Sequence, residues 1–235
     1  MLTRLFVTGT DTNIGKTVVT RALLQFFNRD GATAVGYKPI ATEGYETEEG
    51  MRNRDGMILQ KSSPVPLKYE EINPVVWKSR YCEGNQVDFE QMKQGLNNLS
   101  NKADRVIIEG NGGWRVLLDD ETFYFDWVIR EKIPVILVVG IQPGCVNHSI
   151  LTAQAIINDG LQLVGWIANR INPGLSHYTK VMDRLRRHIN APQLGEIPYI
   201  LRPEEKDLSC YLDVATIFKQ VEGNELGVSI ENQYI

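Results

Sequence analysis

No apolar run in this 235-residue chain reaches the roughly eighteen residues that a bilayer crossing needs, so the sequence offers no membrane span. Basic charge is not in excess either. Lys and Arg number 25 against 29 Asp and Glu, a net charge of −4, which leaves no electrostatic footprint for nucleic acid. Cysteine is scarce. Cys82, Cys145 and Cys210 are odd in number, far apart and without metal-ligand spacing. That usage argues against a disulfide framework and for a reducing compartment, so a cytoplasmic location is expected. His148, His177 and His188 do not cluster, so no zinc site is expected. No signal-peptide pattern precedes the first apolar run. There is no internal repeat, low-complexity tract or linker. The expectation is one domain over residues 1–235, with a polar tail that frays from about residue 222.

What is present is a hydrophobic content of 43%, ample for a core, and one stretch around which the chain is organised. Gly9-Thr10-Asp11-Thr12-Asn13-Ile14-Gly15-Lys16-Thr17 follows the apolar run Leu5-Phe6-Val7 and opens onto Val18 to Phe27, whose spacing suits a helix packed on a sheet. Strand, Gly-containing loop, Gly-Lys-Thr and helix form the order of a phosphate-binding P-loop. Loop amides and the helix dipole would face phosphate, Lys16 would reach the β and γ phosphates, and the Thr17 hydroxyl would ligate Mg2+. The usual spacing puts the first glycine at position 10. Thr10 stands there, and Gly9 is one residue early. The competing reading is a strand-to-helix turn that merely contains Gly-Lys-Thr.

Along the chain, Asn28 to Gly31 is a helix stop, and Thr33 to Tyr37 reads as a strand ended by Lys38-Pro39. Residues 41–56 are polar and acid-rich and read as a long functional loop. A helix continues through Met57 to Lys61, residues 62–88 read as irregular, and Phe89 to Leu99 returns to helical spacing. Strands are expected at Ala103–Gly110, Ile133–Gly140, Leu163–Ala168 and Leu194–Ile197. Helices are expected at Val146–Asp159, Ser176–His188 and Leu212–Val221. Alternation at this spacing means an α/β fold, a doubly wound, mostly parallel sheet. Its carboxyl edge gathers the P-loop, Lys38, Glu109, Gly144 and Asn169.

Several residues on that edge allow two readings. Glu109 closes an apolar strand, where P-loop proteins place an acid on Mg2+, though an acid at a strand end can be merely solvated. Asp55 is a weaker metal candidate. Lys38 is either a surface cation or a neutralising charge at a transferring phosphoryl group or an anionic substrate. Gly144-Cys145-Val146-Asn147 opens a helix, either as an anion site or as a plain helix start with Asn147 as a local cap. The Asn169 amide could pair with an adenine edge. Asn172 stands where a guanine motif would need Asp.

VTGTDTNIGKTVV, GYKPIATEG, MRNRDG, IIEGNGGW, PVILVVG followed by GCVNH and LTAQAI, GWIANRINPG and LGEIPYI together resemble the dethiobiotin synthetase family, in order from residue 2 to about 215. The resemblance implies an ATP-dependent ligase of biotin synthesis. In that family 7,8-diaminononanoate takes up CO2 as a carbamate, ATP phosphorylates the carbamate, and the second amine closes a cyclic urea. It further implies that Asn13, Ile14, Gly15, Lys16, Thr17 and Val18 hold the ATP phosphates, with Thr12 and Lys16 near the transferring phosphoryl group and Lys38 catalytic against the carbamate. The same carry-over makes Thr17, Asp55 and Glu109 the Mg2+ set. Glu109, Gly110, Asn111 and Gly112 belong to the nucleotide site, and Asn169, Arg170, Pro198, Tyr199 and Ile200 to its adenine side. Thr42 is implied as a substrate contact. Gly144, Cys145, Val146 and Asn147 hold the substrate carboxylate from a second subunit, which implies a homodimer with shared active sites.

The chain departs from the family pattern at Asn13, where an acid is common, at Asn111, where a small residue is usual, and at Arg115. Arg115 could form a local salt bridge or reshape a pocket, which keeps open a paralogous synthetase acting on another amine or carboxylate. A third reading, a nucleotide-switch ATPase, is weakened because Lys16 is the one lysine within residues 9–17.

Overall fold

The computed structural model describes residues 3–29, 31–79 and 86–213. Strand β1 (Arg4–Gly9) leads through the glycine loop into α1 (Lys16–Arg29), followed by β2 (Ala34–Tyr37). Three short strands and a helix follow: β3 (Ile40–Ala41), the hairpin β4 (Tyr45–Thr47) and β5 (Gly50–Arg52), and α2 (Arg54–Ser62). Next come α3 (Tyr69–Ile72), β6 (Val75–Val76), α4 (Phe89–Ser100), β7 (Arg105–Gly113) and α5 (Tyr124–Arg130). The chain continues through β8 (Val135–Gly140), α6 (Cys145–Asn158), β9 (Leu163–Asn169), α7 (Tyr178–His188) and β10 (Gln193–Ile197).

Six strands form one sheet in the order β10-β9-β8-β1-β7-β2, and every pairing in it is parallel. The strands Val135–Gly140 and Leu163–Asn169 are buried at every residue, as the continuous apolar runs require of a sheet covered on both faces. The chain leaves β1 toward β2 on one side and later returns to β8 on the other. The strand order therefore reverses at β1, and the crevice at that reversal lies at the carboxyl end of β1. The pairing of β1 with β7 shifts register there: Val7 opposes Glu109, but Gly9 opposes Gly113. Three residues, Gly110 to Gly112, thus stand against the single Thr8 and bulge from the ladder right after Glu109.

The doubly wound parallel sheet is as the sequence predicts. Three expectations are corrected. The acid-rich stretch 41–56, read as a long loop leading into a helix, does lead into α2, but it begins on the last residue of β3 and carries the β4–β5 hairpin; α2 is capped by the Asn53 side chain, which accepts from the amides of Asp55 and Gly56. The stretch expected to be irregular contains α3 and β6, and β6 pairs in parallel with β3. Helix α5 was not expected. It is short and has no side-chain cap, and it forms because Tyr124, Trp127 and Val128 bury one face. Cys145 is buried and Cys210 exposed. The helix expected from Leu212 is a strand bridge at its first residue, Leu212 to Gly195. The rest of that helix, the tail from residue 222 and Cys82 lie outside the described residues.

Close contact between β9 and β10 rests on Gly165. A Cβ there would sit 2.4 Å from Leu194 Cγ and 2.7 Å from the Pro192 carbonyl, whereas nothing lies within 4 Å of one at Gly174. Gly165→Ala is expected to cost about 2 kcal/mol by overpacking, a fall in melting temperature of roughly 5 °C at this chain length. Gly174→Ala should leave thermal unfolding unchanged. Equal midpoints for the two variants would show that the strands separate freely.

Candidate active site

The loop between β1 and α1 is held from below. Ile14 is 1% exposed and fills a slot between two strands. A Cβ at Gly9 would lie 2.6 Å from Ile14 Cδ1, and one at Gly140 would lie 2.7 Å from Ile14 Cβ. The early glycine of the motif thus makes room for Ile14. Gly15 takes φ +91°, and a Cβ on it would meet Asn169 Nδ2 at 2.0 Å. That Nδ2 donates to the Ile14 carbonyl at 2.9 Å, so the end of β9 ties down the loop. Asn13 is left-handed at φ 54°, which Asn tolerates better than most side chains. Lys16 Nζ folds over the loop and donates to the Asp11 carbonyl at 2.8 Å. Burial, and then the nearby Lys38 ammonium, lower the pKa of Lys16 to about 8.

Three charged side chains from three elements meet beside Thr17. Lys38 follows β2, Glu109 ends the regular part of β7, and Asp55 lies in the first turn of α2. Lys38 Nζ donates to Glu109 Oε1 at 2.7 Å, to Asp55 Oδ2 at 3.3 Å and to the Gly110 carbonyl at 3.3 Å. All three ammonium protons are thereby used. The Thr17 hydroxyl lies 2.8 Å from Asp55 Oδ1 and 2.9 Å from Glu109 Oε1. One hydroxyl proton serves one carboxylate at a time. Burial opposes the Lys38 ammonium, yet Glu109 and Asp55 hold its pKa above the ordinary lysine value. Burial raises Glu109, against the pull of Lys38. Asp55 sits below its ordinary value because Lys38 and Thr17 outweigh burial.

Glu109 Oε2 is buried without a hydrogen-bond partner. With Asp55 Oδ1 and Thr17 Oγ1 it makes a cluster of hard oxygen donors in excess of available protons, the chemistry of a Mg2+ site. Among the described residues no group of three or more His, Cys, Asp or Glu could hold a metal ion. The set here is two carboxylates and a hydroxyl, and it fits an ion that keeps waters and phosphate oxygens as further ligands.

A cleft of about 590 Å³ opens over these groups. Of the residues singled out in the sequence, Thr12, Asn13, Gly15, Lys16, Thr17, Val18, Lys38, Thr42, Asp55, Glu109, Asn111 and Gly112 line it. Ile14 lies beneath the loop, and Gly110 faces Phe6, whose Cζ is 2.6 Å from where its Cβ would be. Asn111 donates its amide to the Ile40 carbonyl at 3.1 Å, a structural bond that a small residue could not make. Asn169 and Pro198 come together at the ends of paired strands, since Ile197 opposes Asn169. Asn169, Arg170, Pro198, Tyr199 and Ile200 do not line the cleft. Asn169 Nδ2 is committed to the loop, so Oδ1 is the atom left for a base edge. Arg170 stacks on Tyr178 at 4.5 Å.

Gly144 to Asn147 also lie outside the cleft. Gly144, at φ 87°, is the N-cap of α6 and makes no side-chain cap bond, so the reading of Asn147 as a local cap is corrected. Arg115 does not reshape the pocket. It pairs with Asp159 at 2.8 Å and lies 4.1 Å from the Phe125 ring centre, while Trp114 Nε1 donates to the other oxygen of Asp159. Sequence reasoning missed Arg21, Tyr45, Asn53, Pro203 and Glu204, which also line the cleft. Arg21 stands one helical turn after Thr17, a spacing that was visible. Pro203 and Glu204 reach the cleft only through the fold.

A family profile described as an AAA domain matches residues 3–206. Relatives described as ATP-dependent dethiobiotin synthetase BioD 2 include one from Yersinia pestis, 59% identical over 92% of this chain and 99% of its own length. Another, from Escherichia coli K12, is 49% identical over 92% of this chain and 95% of its own length. Among solved structures, the MinD cell division protein of Aquifex aeolicus superposes with a TM-score of 0.55 at 11% identity, covering 97% of this chain and 99% of that one. The septum site-determining protein MinD of Pyrococcus horikoshii gives 0.55 at 15%, covering both chains fully. The structural likeness carries the P-loop NTPase fold alone. The sequence identity reaches further, over nearly the full length of the relatives, and by it this chain belongs to the dethiobiotin synthetase family.

Proposed function

We propose that this chain closes 7,8-diaminononanoate and CO2 into dethiobiotin at the expense of ATP. The observation that carries the reading is the Lys38 ammonium set between Glu109 and Asp55, within the same cleft as the P-loop lysine. One amine of the substrate adds to CO2 and loses a proton to give a carbamate. A carbamate oxygen then takes the γ-phosphoryl group, releasing ADP. The second amine attacks the carbamoyl carbon, phosphate leaves, and the cyclic urea forms.

The residues divide this work. Lys16 and the amides of Asn13 to Val18 grip the phosphates, with Thr12 at the rim. Lys38 offers a buried cation to the carbamate and the developing phosphoryl charge. Thr17, Asp55 and Glu109 would hold Mg2+, which supplies charge neutralisation at the β and γ phosphates. Thr42 contacts substrate, Asn111 and Gly112 line the nucleotide side of the cleft with Gly110 behind them, and Asn169 to Arg170 with Pro198 to Ile200 take the adenine. Gly144 to Asn147, facing away from this chain's own cleft, serve a neighbouring subunit. The exposed Leu151 and Ile157 on the same helix support a homodimer. Among the described residues no helix is long and apolar enough to cross a membrane, and the free thiols of Cys145 and Cys210 support a cytoplasmic setting. Arg115, turned onto Asp159, removes the motive for a changed substrate. The direct test is a product assay: purified protein, ATP, Mg2+, bicarbonate and diamine, with mass detection of dethiobiotin. Its absence would overturn the reading.

Lys16→Ala should abolish ATP turnover while the fold survives. Losing one preorganised charge at a phosphoryl group raises the barrier by about 3 to 4 kcal/mol, roughly two to three decades in rate. Lys38→Ala should separate catalysis from nucleotide binding: calorimetry with a nonhydrolysable ATP analogue holds within several fold while ring closure drops steeply. Equal losses would place Lys38 in the nucleotide site.

For the shared site, Val146→Glu sets a carboxylate against the substrate carboxylate, a repulsion of about 4 kcal/mol for charges roughly 4 Å apart at intermediate dielectric. Lys16→Ala and Val146→Glu chains, each inactive alone, should recover a fraction of activity when co-expressed. If mixed dimers form and stay inactive, the subunits do not share sites.

A further inference from the structure

Three buried side chains outside the reacting groups link the segments that carry them. The Lys38 amide donates to the Ile72 carbonyl at 2.7 Å. The Lys38 carbonyl accepts from Asn73 Nδ2 at 2.7 Å. Asn73 Oδ1 accepts from the Tyr69 hydroxyl at 2.8 Å. The Tyr69 oxygen accepts in turn from the Asn53 amide at 2.7 Å. Asn53 Oδ1 then accepts from the Asp55 amide at 2.9 Å, and Asn53 Nδ2 donates to the Thr42 carbonyl at 2.8 Å. The bonds run without a break from the backbone of Lys38 to the backbones of Asp55 and Thr42.

Every polar atom of the chain is used in a direction its chemistry allows. The Tyr69 hydroxyl donates once and accepts once, and both ends of each carboxamide are occupied. Asn73 is 1% exposed, Tyr69 5% and Asn53 6%, so a lost bond would not be replaced by water from the surface. Packing has been fitted around these groups. A Cβ at Gly56 would lie 2.7 Å from Asn73 Oδ1 and 2.9 Å from the Tyr69 hydroxyl, so α2 sits down on the network because residue 56 has no side chain. The Arg52 guanidinium covers the Tyr69 ring at 4.3 Å from its centre.

Resting on the dethiobiotin-forming reading, we propose that Asn53, Tyr69 and Asn73 are positioning residues that fix Lys38, Thr42 and Asp55 relative to one another. The Lys38 side chain is long and its amine reaches both carboxylates only if its backbone is anchored where Asp55 is also anchored. The P-loop is held separately, through Asn169 and Ile14. The network therefore acts on Lys38, Thr42 and Asp55, and it touches the phosphate side only through the Asp55 carboxylate beside Thr17, leaving the loop amides and Lys16 to their own supports.

Tyr69→Phe tests this, since it deletes one oxygen and keeps the ring under Arg52. Turnover per folded molecule, measured well below the melting temperature, should fall roughly ten- to a hundredfold, as misplacement of a reacting group does. The dissociation constant of a nonhydrolysable ATP analogue should stay within about twofold. Asn53→Ser is the second variant. Ser keeps the helix cap on Asp55 but loses the donor to Thr42, so KM for the diamine should rise several fold with a smaller change in kcat. A merely structural network would lower the melting temperature of both variants with kcat and KM of the folded enzyme unchanged, and that result overturns the inference. So does a parallel loss of ATP affinity and turnover. Failure of the unchanged enzyme to form product would instead overturn the functional reading, and the inference with it.

Discussion

The Lys38 ammonium contacts the buried Glu109 carboxylate and the half-buried Asp55 carboxylate, and the site depends on that contact. Glu109 is fully buried, and a carboxylate taken out of water without a partner would cost several kcal/mol. Lys38 supplies the partner from a different strand, and Asp55 adds a second anion from a helix. The balance is incomplete: Glu109 Oε2 remains unsatisfied, and one threonine proton is shared between two acids. A site built for stability alone would be neutral and closed. This one carries excess negative charge, facing a cleft whose other wall is Lys16 and a row of loop amides.

Sheet topology places these charges. Because the strand order reverses at β1, the loop after β1 has β7 on one side and β8 on the other, with open space above. The β7 bulge at Gly110 to Gly112 interrupts the ladder directly after Glu109, and pairing resumes at Gly113, so the acid sits where regular pairing gives way beside the cleft. Close approach of backbone at Gly9, Gly140 and Gly15 packs Ile14 and Asn169 under the phosphate loop, which stiffens the cradle before any ligand arrives.

Much of this was legible from residues. The apolar runs gave the parallel strands, and Gly-Lys-Thr after the first of them marked the P-loop fold. Lys38 and Glu109 at strand ends followed from the rule that such sheets bind at carboxyl edges. What was not legible depended on partners distant in sequence. Arg115 could be assigned only once Asp159 was seen beside it. An amide at the end of β9 reads equally as a base contact or as a loop anchor, and only the 2.9 Å bond to Ile14 shows how Nδ2 is used. Helix α5 has too few residues for periodicity to stand out. In the hairpin β4 is exposed at every residue and β5 has no fully buried one, so alternation could not mark it.

The likeness to MinD at low identity, set beside close identity to dethiobiotin synthetases, locates where the chemistry is specialised. Phosphate handling lies in β1, the loop and α1, which any P-loop fold supplies. The groups that would act on an amine and its carbamate come from the connection between β2 and β7. That stretch carries Lys38, Thr42 and Asp55, and folds into a two-stranded parallel sheet, a hairpin and three helices of its own. It returns to the main sheet through the Ile72 carbonyl and Asn73, both bonded to the backbone of Lys38. A crossover of that length would be loose if it met the sheet only at its ends. Tied at Lys38 through a buried chain of hydrogen bonds, it can present a lysine, a hydroxyl and a carboxylate to one point above the phosphates. The inherited cradle supplies the energy source, and the crossover decides what the phosphoryl group is given to.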